Sequence, residues 1–283
     1  LQVASLFIRG RYRKLVRGIP QTRWPCRECR GRGCPRCGGT GRMYQESVDE
    51  LIRPAVMEAA EAEDTVFHGA GREDIDARML GTGRPFIVEA VRPRVRSIDL
   101  AALRQEINRH AQGKVEVLEL LHARAAEVER LKKATFVKTY SALVSFGSVV
   151  TEEKLKSVLK ELVGFVDQRT PTRVTHRRAD LQRVRRVYTA DLAEISGNLA
   201  RVTIKGDSGL YIKELISGDG GRTRPSLAEA LGVDAVVAEL DVIDVGGESD
   251  GTSSRNEEED ERQAEQDCQG QRDIPGGQGD SGV

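Results

Sequence analysis

The sequence predicts an α+β fold: a mixed or antiparallel sheet flanked by helices. Three observations predict it. Several apolar runs are long and not strictly alternating, as in strands buried on both faces. Capped, helix-period segments lie between them. The two kinds of segment follow one another irregularly, without the strict strand–helix alternation of a doubly wound sheet.

Residues 1–24 read as a strand followed by a basic loop, with Arg9, Arg11, Arg13, Lys14, Arg17 and Arg23 set among Leu6, Phe7, Ile8, Tyr12 and Leu15. Ser47-Val48-Asp49-Glu50 has the spacing of a capping box. The helix it opens is expected to run to about Glu63, with Leu51, Ile52, Val56 and Ala59 inward and a kink or break at Pro54. Strands are expected at residues 85–91, 114–121 and 136–146, with helices at 99–111 (Asp99 as N-cap), at 125–134 and after Thr151. Three strands are then expected, at 185–193, 198–205 and 210–215. Ser226 and Glu229 cap a short helix, and a strand at 235–245 closes the fold.

Formal net charge is zero, but the charge is unevenly placed. Residues 246–283 hold 11 acidic and 3 basic residues, which leaves the body before them at about +8. Such asymmetry points to a nucleic-acid partner. The segment has almost no large apolar side chains, so it reads as a disordered acidic tail, acting either as a solubilising tail or as a competitor for RNA. No apolar run approaches the roughly 20 residues needed to span a bilayer, so no membrane partner is expected and the cytoplasm is the expected location. The start at Leu1 is read as the loss of a preceding portion.

Cys26-Arg27-Glu28-Cys29 and Cys34-Pro35-Arg36-Cys37 are two closely spaced C-x-x-C pairs, each followed by a glycine-rich turn. Four thiols on two tight knuckles fit a structural Zn2+, with unmetallated thiols as the alternative. A site closed by four cysteines leaves no open position for chemistry. The pattern also matches half of a zinc deaminase signature, but no His is followed two residues later by the Glu which that chemistry needs.

Gly71-Arg72-Glu73-Asp74-Ile75-Asp76 is a glycine-led turn presenting an aspartate two residues after an arginine. Three segments join it: Lys138-Thr139-Tyr140-Ser141; the basic run from Gln168 through His176, Arg177 and Arg178 to Arg186; and Ser208-Gly209-Leu210-Tyr211-Ile212-Lys213-Glu214-Leu215. His176 to Arg186 reads as a face that contacts RNA, and Tyr211 as a core residue of an apolar strand.

Together these segments resemble the archaeal tRNA pseudouridine synthase ten family, over residues 6–245. The resemblance implies a pseudouridine-synthase-like core and an isomerase that converts uridine to pseudouridine at positions 54 and 55, in the TΨC arm of tRNA, without a catalytic cofactor. Asp74 would act on the target nucleotide, as nucleophile or as base. Arg72 would help extrude the base or hold its phosphate, Tyr140 would stack on the flipped uracil and serve in the proton transfer at C5, Lys213 would pair with Asp74, and Leu215 would line the uracil pocket. His176, Arg177 and Arg178 would bind RNA. The implied organisation is residues 1–24 as the end of an RNA-binding region, 25–45 as the zinc element, 46–245 as the catalytic domain and 246–283 as the tail. tRNA is the expected partner, and no protein partner is evident. The competing reading is a non-catalytic, zinc-containing RNA-binding protein.

Overall fold

The structure, a computed structural model, describes residues 3–176 and 178–248, the last two by backbone alone. Its elements run β1 (Leu6–Lys14), α1 (Val48–Ala60), β2 (Asp64–Gly69), β3 (Arg78–Val91), α2 (Leu100–His110), β4 (Val115–Ala123), α3 (Ala125–Lys133), β5 (Phe136–Phe146), α4 (Glu152–Glu161), β6 (Gly164–Arg169), β7 (Gln182–Ser196), β8 (Leu199–Gly206), α5 (Ile212–Ser217), β9 (Thr223–Arg224), α6 (Leu227–Leu231) and β10 (Ala235–Glu248). Short 3-10 turns lie at Pro35–Cys37, Thr172–Val174 and Gly218–Gly221.

The strands form one mixed sheet in the order β4-β1-β3-β10-β5-β8-β7-β6-β9, with β2 added beside β3. Every pairing is antiparallel except a short parallel join of β3 to β10, where Arg78 and Met79 meet Asp241 and Val242. β1 occupies one edge of β3 along most of its length. The other edge is therefore shared: β2 pairs with residues 86–91 and β10 with residues 78–79. The sheet forks there, and the loop from β2 to β3 emerges in the fork. Gly81 lets the strands meet, since a Cβ at that position would lie 1.7 Å from the carbonyl oxygen of Ile243.

The helix starts follow local chemistry. Ser47, Asp99, Thr151 and Ser226 each accept a backbone N–H of the first turn that follows. Pro54 does not break α1. It faces solvent, so the helix runs on to Ala60 and ends there, short of Glu63. Its inner face includes Val48, Ala55 and Ala60 as well as Leu51, Ile52 and Val56, while Ala59 is only half-buried. α1 and α2 pack together beside β2, β3 and β4. α4 packs on β7 and α6, and α5 packs on β10 and α6.

Several expectations need correction. Residues 210–215 are not a strand: the chain turns into α5 at Ile212, which makes Lys213 a helix residue. β2 and β6 are strands the sequence did not reveal. β10 continues to Glu248, beyond the expected start of the acidic tail at residue 246. The rest of that tail lies outside the described residues.

Candidate functional site

The loop of residues 70–77 is held from below by a buried polar network. Glu73 points inward and accepts hydrogen bonds from the Tyr12 hydroxyl at 3.0 and 3.2 Å and from Arg84 Nε at 2.8 Å. Gln21 donates to both the Tyr12 hydroxyl and the Gly71 carbonyl at 2.9 Å. Arg84 also donates to the Ala70 carbonyl at 2.7 Å. Lys14, fully buried, donates to the carbonyls of Ile19, Asp74 and Ile75 at 3.0–3.2 Å. The loop backbone is thus fixed by cations aimed at its carbonyls. With Glu73 turned inward, Asp74 is left half-exposed at the outer rim.

Two cations from elsewhere in the chain meet Asp74 there. Arg173 Nη2 lies 3.3 Å and Lys213 Nζ 3.4 Å from the same oxygen, Oδ2. Lys213 is also 2.7 Å from Asp76. Burial works to raise the Asp76 carboxyl, but the hydrogen bond and charge of Lys213 outweigh it and hold Asp76 below its ordinary value. Arg173 stands in the 3-10 turn at Thr172–Val174, and its Nε donates to the buried Glu214 of α5 at 2.8 Å. Desolvation opposes the charge on Arg173, but Glu214 and Asp74 together leave its guanidinium above the ordinary value.

Tyr140 lies on the inward face of β5 with Lys138 and Ala142, its ring largely buried. Burial pushes its phenol up to about 12, with Arg84 pulling down and Asp74 adding to the rise. Burial thus favours the protonated hydroxyl. Lys138 donates to Ser208 at 3.1 Å, just before α5.

The fold brings together Asp74, Tyr140 and Lys213. Arg72 is exposed on the same loop, two residues before Asp74, and Leu215 is a fully buried residue of α5. His176 and Arg178 are exposed, and Arg178 donates to the Tyr211 hydroxyl at 3.0 Å. Arg177 lies outside the described residues. The run to Arg186 does not form one basic face. Arg183 and Arg185 are buried on the inner side of β7, while Arg186 faces outward, lying over the rings of Phe165 and Tyr188. Tyr211 is half-buried at the entry to α5, so it is neither a strand nor a full core residue. Arg173 and Glu214 were not singled out by the sequence. Their link to Asp74 is long-range, and no local spacing signals it.

The four cysteines Cys26, Cys29, Cys34 and Cys37 form a separate cluster able to hold a metal ion, their sulfurs all within 4.8 Å of one another. The Cys26–Cys34, Cys29–Cys37 and Cys34–Cys37 sulfur separations are 3.8, 3.8 and 3.7 Å. A tetrahedron of sulfurs about 2.3 Å from one ion has edges of about 3.8 Å. Backbone N–H groups of Gly33 and Gly41 point at the sulfurs of Cys29 and Cys37. Desolvation raises the Cys37 thiol, but N–H donors from Cys34 and Gly41 and the neighbouring thiols outweigh it and bring Cys37 down to about 6. No other cluster of metal-binding side chains occurs among the described residues.

The profile of the family described as "Pus10, C-terminal" matches residues 7–246. A protein of Methanothrix thermoacetophila named tRNA pseudouridine synthase Pus10 is 68% identical over 247 residues, covering 87% of this chain and 55% of that protein. One of the same name from Methanocaldococcus jannaschii is 51% identical over 246 residues, covering 87% of this chain and 54% of its own. Among solved structures, a chain of a Cbf5-Nop10-Gar1 complex aligns with 70% of this chain and 45% of its own, at 21% identity and a TM-score of 0.44. The chain belongs to the Pus10 C-terminal family. It spans about half the length of these two archaeal relatives.

Proposed function

We propose that this chain is the catalytic portion of a cytoplasmic tRNA pseudouridine synthase, isomerising uridine to pseudouridine at positions 54 and 55 of the TΨC arm. The observation that carries this reading is the Asp74 carboxylate, set on a rigid loop and faced by Lys213 and Arg173 beside the buried ring of Tyr140.

The reaction breaks the C1′–N1 bond, turns the uracil and joins C5 to C1′; C5 loses a proton to solvent and N1 gains one, so the product is an isomer of the substrate. No electrons leave or enter, so no redox cofactor is required. The target base must first leave its stack, at a cost of a few kcal/mol. Stacking on an aromatic ring such as Tyr140 returns roughly 1–3 kcal/mol. Arg72, exposed on the catalytic loop, would take the vacated place or hold the phosphate. Asp74, faced by Lys213 and Arg173, would attack C1′ or remove the C2′ proton. Leu215 would close the floor of the uracil pocket, and His176, Arg177 and Arg178 would contact the RNA backbone.

The cysteine cluster is assigned to a structural Zn2+, which Cys26, Cys29, Cys34 and Cys37 would hold. Bound there, it would tie residues 25–45 into a knuckle and would supply no chemistry to the isomerisation.

The test is release of tritium from tRNA labelled at uridine C5. The native protein should release it and Asp74→Asn should not, while both bind the tRNA equally. Binding by both without release by either would favour a protein that only binds RNA.

A further inference from the structure

We infer that Arg173 is a second cation for the Asp74 carboxylate, and that buried Glu214 is the positioning residue that aims it. The inference rests on the proposed isomerase reading and concerns the same site.

Arg173 is held at three points. Its neighbour Thr172 donates from both N and Oγ1 to the Asp219 carboxylate, at 2.8 and 3.1 Å. Its own Nε donates to Glu214 Oε1 at 2.8 Å. The terminal nitrogen Nη2 then reaches Asp74 Oδ2 at 3.3 Å. A guanidinium is planar, so fixing Nε on one carboxylate fixes the direction of the other nitrogens. A lysine ammonium has no such plane, so a contact with one carboxylate would not fix its direction toward the other.

Glu214 is costly where it stands. Its carboxylate is buried, and Oε2 has no hydrogen-bond partner among the described residues. A buried ion pair of this kind adds little stability against an apolar pair of the same size. What it does supply is geometry: Glu214 follows Lys213 on α5, so one short helix delivers one cation directly and orients the other.

Arg173 Nη2 and Lys213 Nζ both reach the same oxygen of Asp74, Oδ2, so the two cations converge on one point of the carboxylate.

The test uses single-turnover pseudouridine formation on an unmodified tRNA transcript at saturating protein, with RNA affinity and Tm measured alongside. Arg173→Ala should slow the rate at least 10-fold and change the RNA Kd by less than about 3-fold. Glu214→Leu, which removes the acceptor while keeping bulk, should slow it to a similar degree, and Glu214→Gln, which keeps an acceptor oxygen, should recover most of the rate. The double variant Arg173→Ala/Glu214→Leu should be no slower than Arg173→Ala alone, because Glu214 acts through Arg173. Multiplying losses, an effect confined to Kd, or a native rate in Arg173→Ala would overturn the inference while leaving the isomerase reading intact. If Glu214→Leu fails to fold, Arg173→Ala and Glu214→Gln still decide. A native protein that binds the transcript but forms no pseudouridine would overturn both.

Discussion

The Lys213 ammonium lies 2.7 Å from the Asp76 carboxylate. It also touches Asp74, at 3.4 Å, so one lysine serves two carboxylates. Asp76 is the more exposed of the two and has no contact with Arg173 within ion-pair distance. Asp76 thus competes for the lysine without sharing the inner site. Asp76→Asn should keep pseudouridine formation within about 10-fold of native, whereas Lys213→Met should lower it by at least 100-fold, each factor of ten being about 1.4 kcal/mol of barrier. Rates of tritium release for the two variants check this.

The pair beneath the loop carries a different prediction. Glu73 and Arg84 have almost no exposed side-chain surface, and Glu73 is also 3.8 Å from buried Lys14. Glu73→Leu would leave two buried cations without their carboxylate. Loss of one partner from a buried pair costs about 3–5 kcal/mol. Urea unfolding should show that loss, and the loop of residues 70–77 should become the first segment to exchange its amide hydrogens.

Asp49, in the first turn of α1, makes stability depend on pH. Burial pushes its carboxyl up to about 6; Arg53 opposes the rise, and Glu50 and Asp64 add to it. In the unfolded chain the same carboxyl titrates near about 4. The folded protein therefore prefers the protonated form. The cost of ionising Asp49 grows from about pH 4 to about pH 6 and is complete above that. Asp49→Asn should raise Tm at pH 7.5, and the gain should vanish below pH 4. Melting curves across that range check both parts.

Removal of the proposed zinc should act locally. The hydrogen bonds of the four cysteine sulfurs stay within residues 26–41. Cys37→Ser should lower bound zinc from about one per chain and expose residues 25–45 to protease, while turnover persists. Native metal content in Cys37→Ser would show that Cys37 is not a metal ligand, and intact protection after the metal is lost would show that the knuckle does not depend on metal. Complete loss of activity on chelation, with the fold intact, would show a role beyond structure.

Much of the fold was legible in local chemistry. The caps at Ser47, Asp99, Thr151 and Ser226 and the alternation of residues 136–146 signal their elements directly. Leu210-Tyr211-Ile212-Lys213-Glu214-Leu215-Ile216 misled because six residues are too few to display a helical period, and its apolar residues fit a strand equally well. β6 was hidden by Asp167, Gln168 and Arg169, polar residues in a strand that tertiary pairing alone makes favourable. The pairing of Lys213 with Asp74 followed from the family resemblance. The roles of Arg173, Glu214 and the Tyr12–Glu73–Arg84 network depend on contacts between distant segments, and no spacing encodes those.

The most direct measurement is carbodiimide labelling and primer extension on an unmodified tRNA transcript, with native protein and Asp74→Asn in parallel. New stops in the TΨC arm with the native protein and none with the variant are the predicted result. Equal stops with both would contradict the role given to Asp74, and RNA binding without stops from the native protein would contradict the isomerase reading itself.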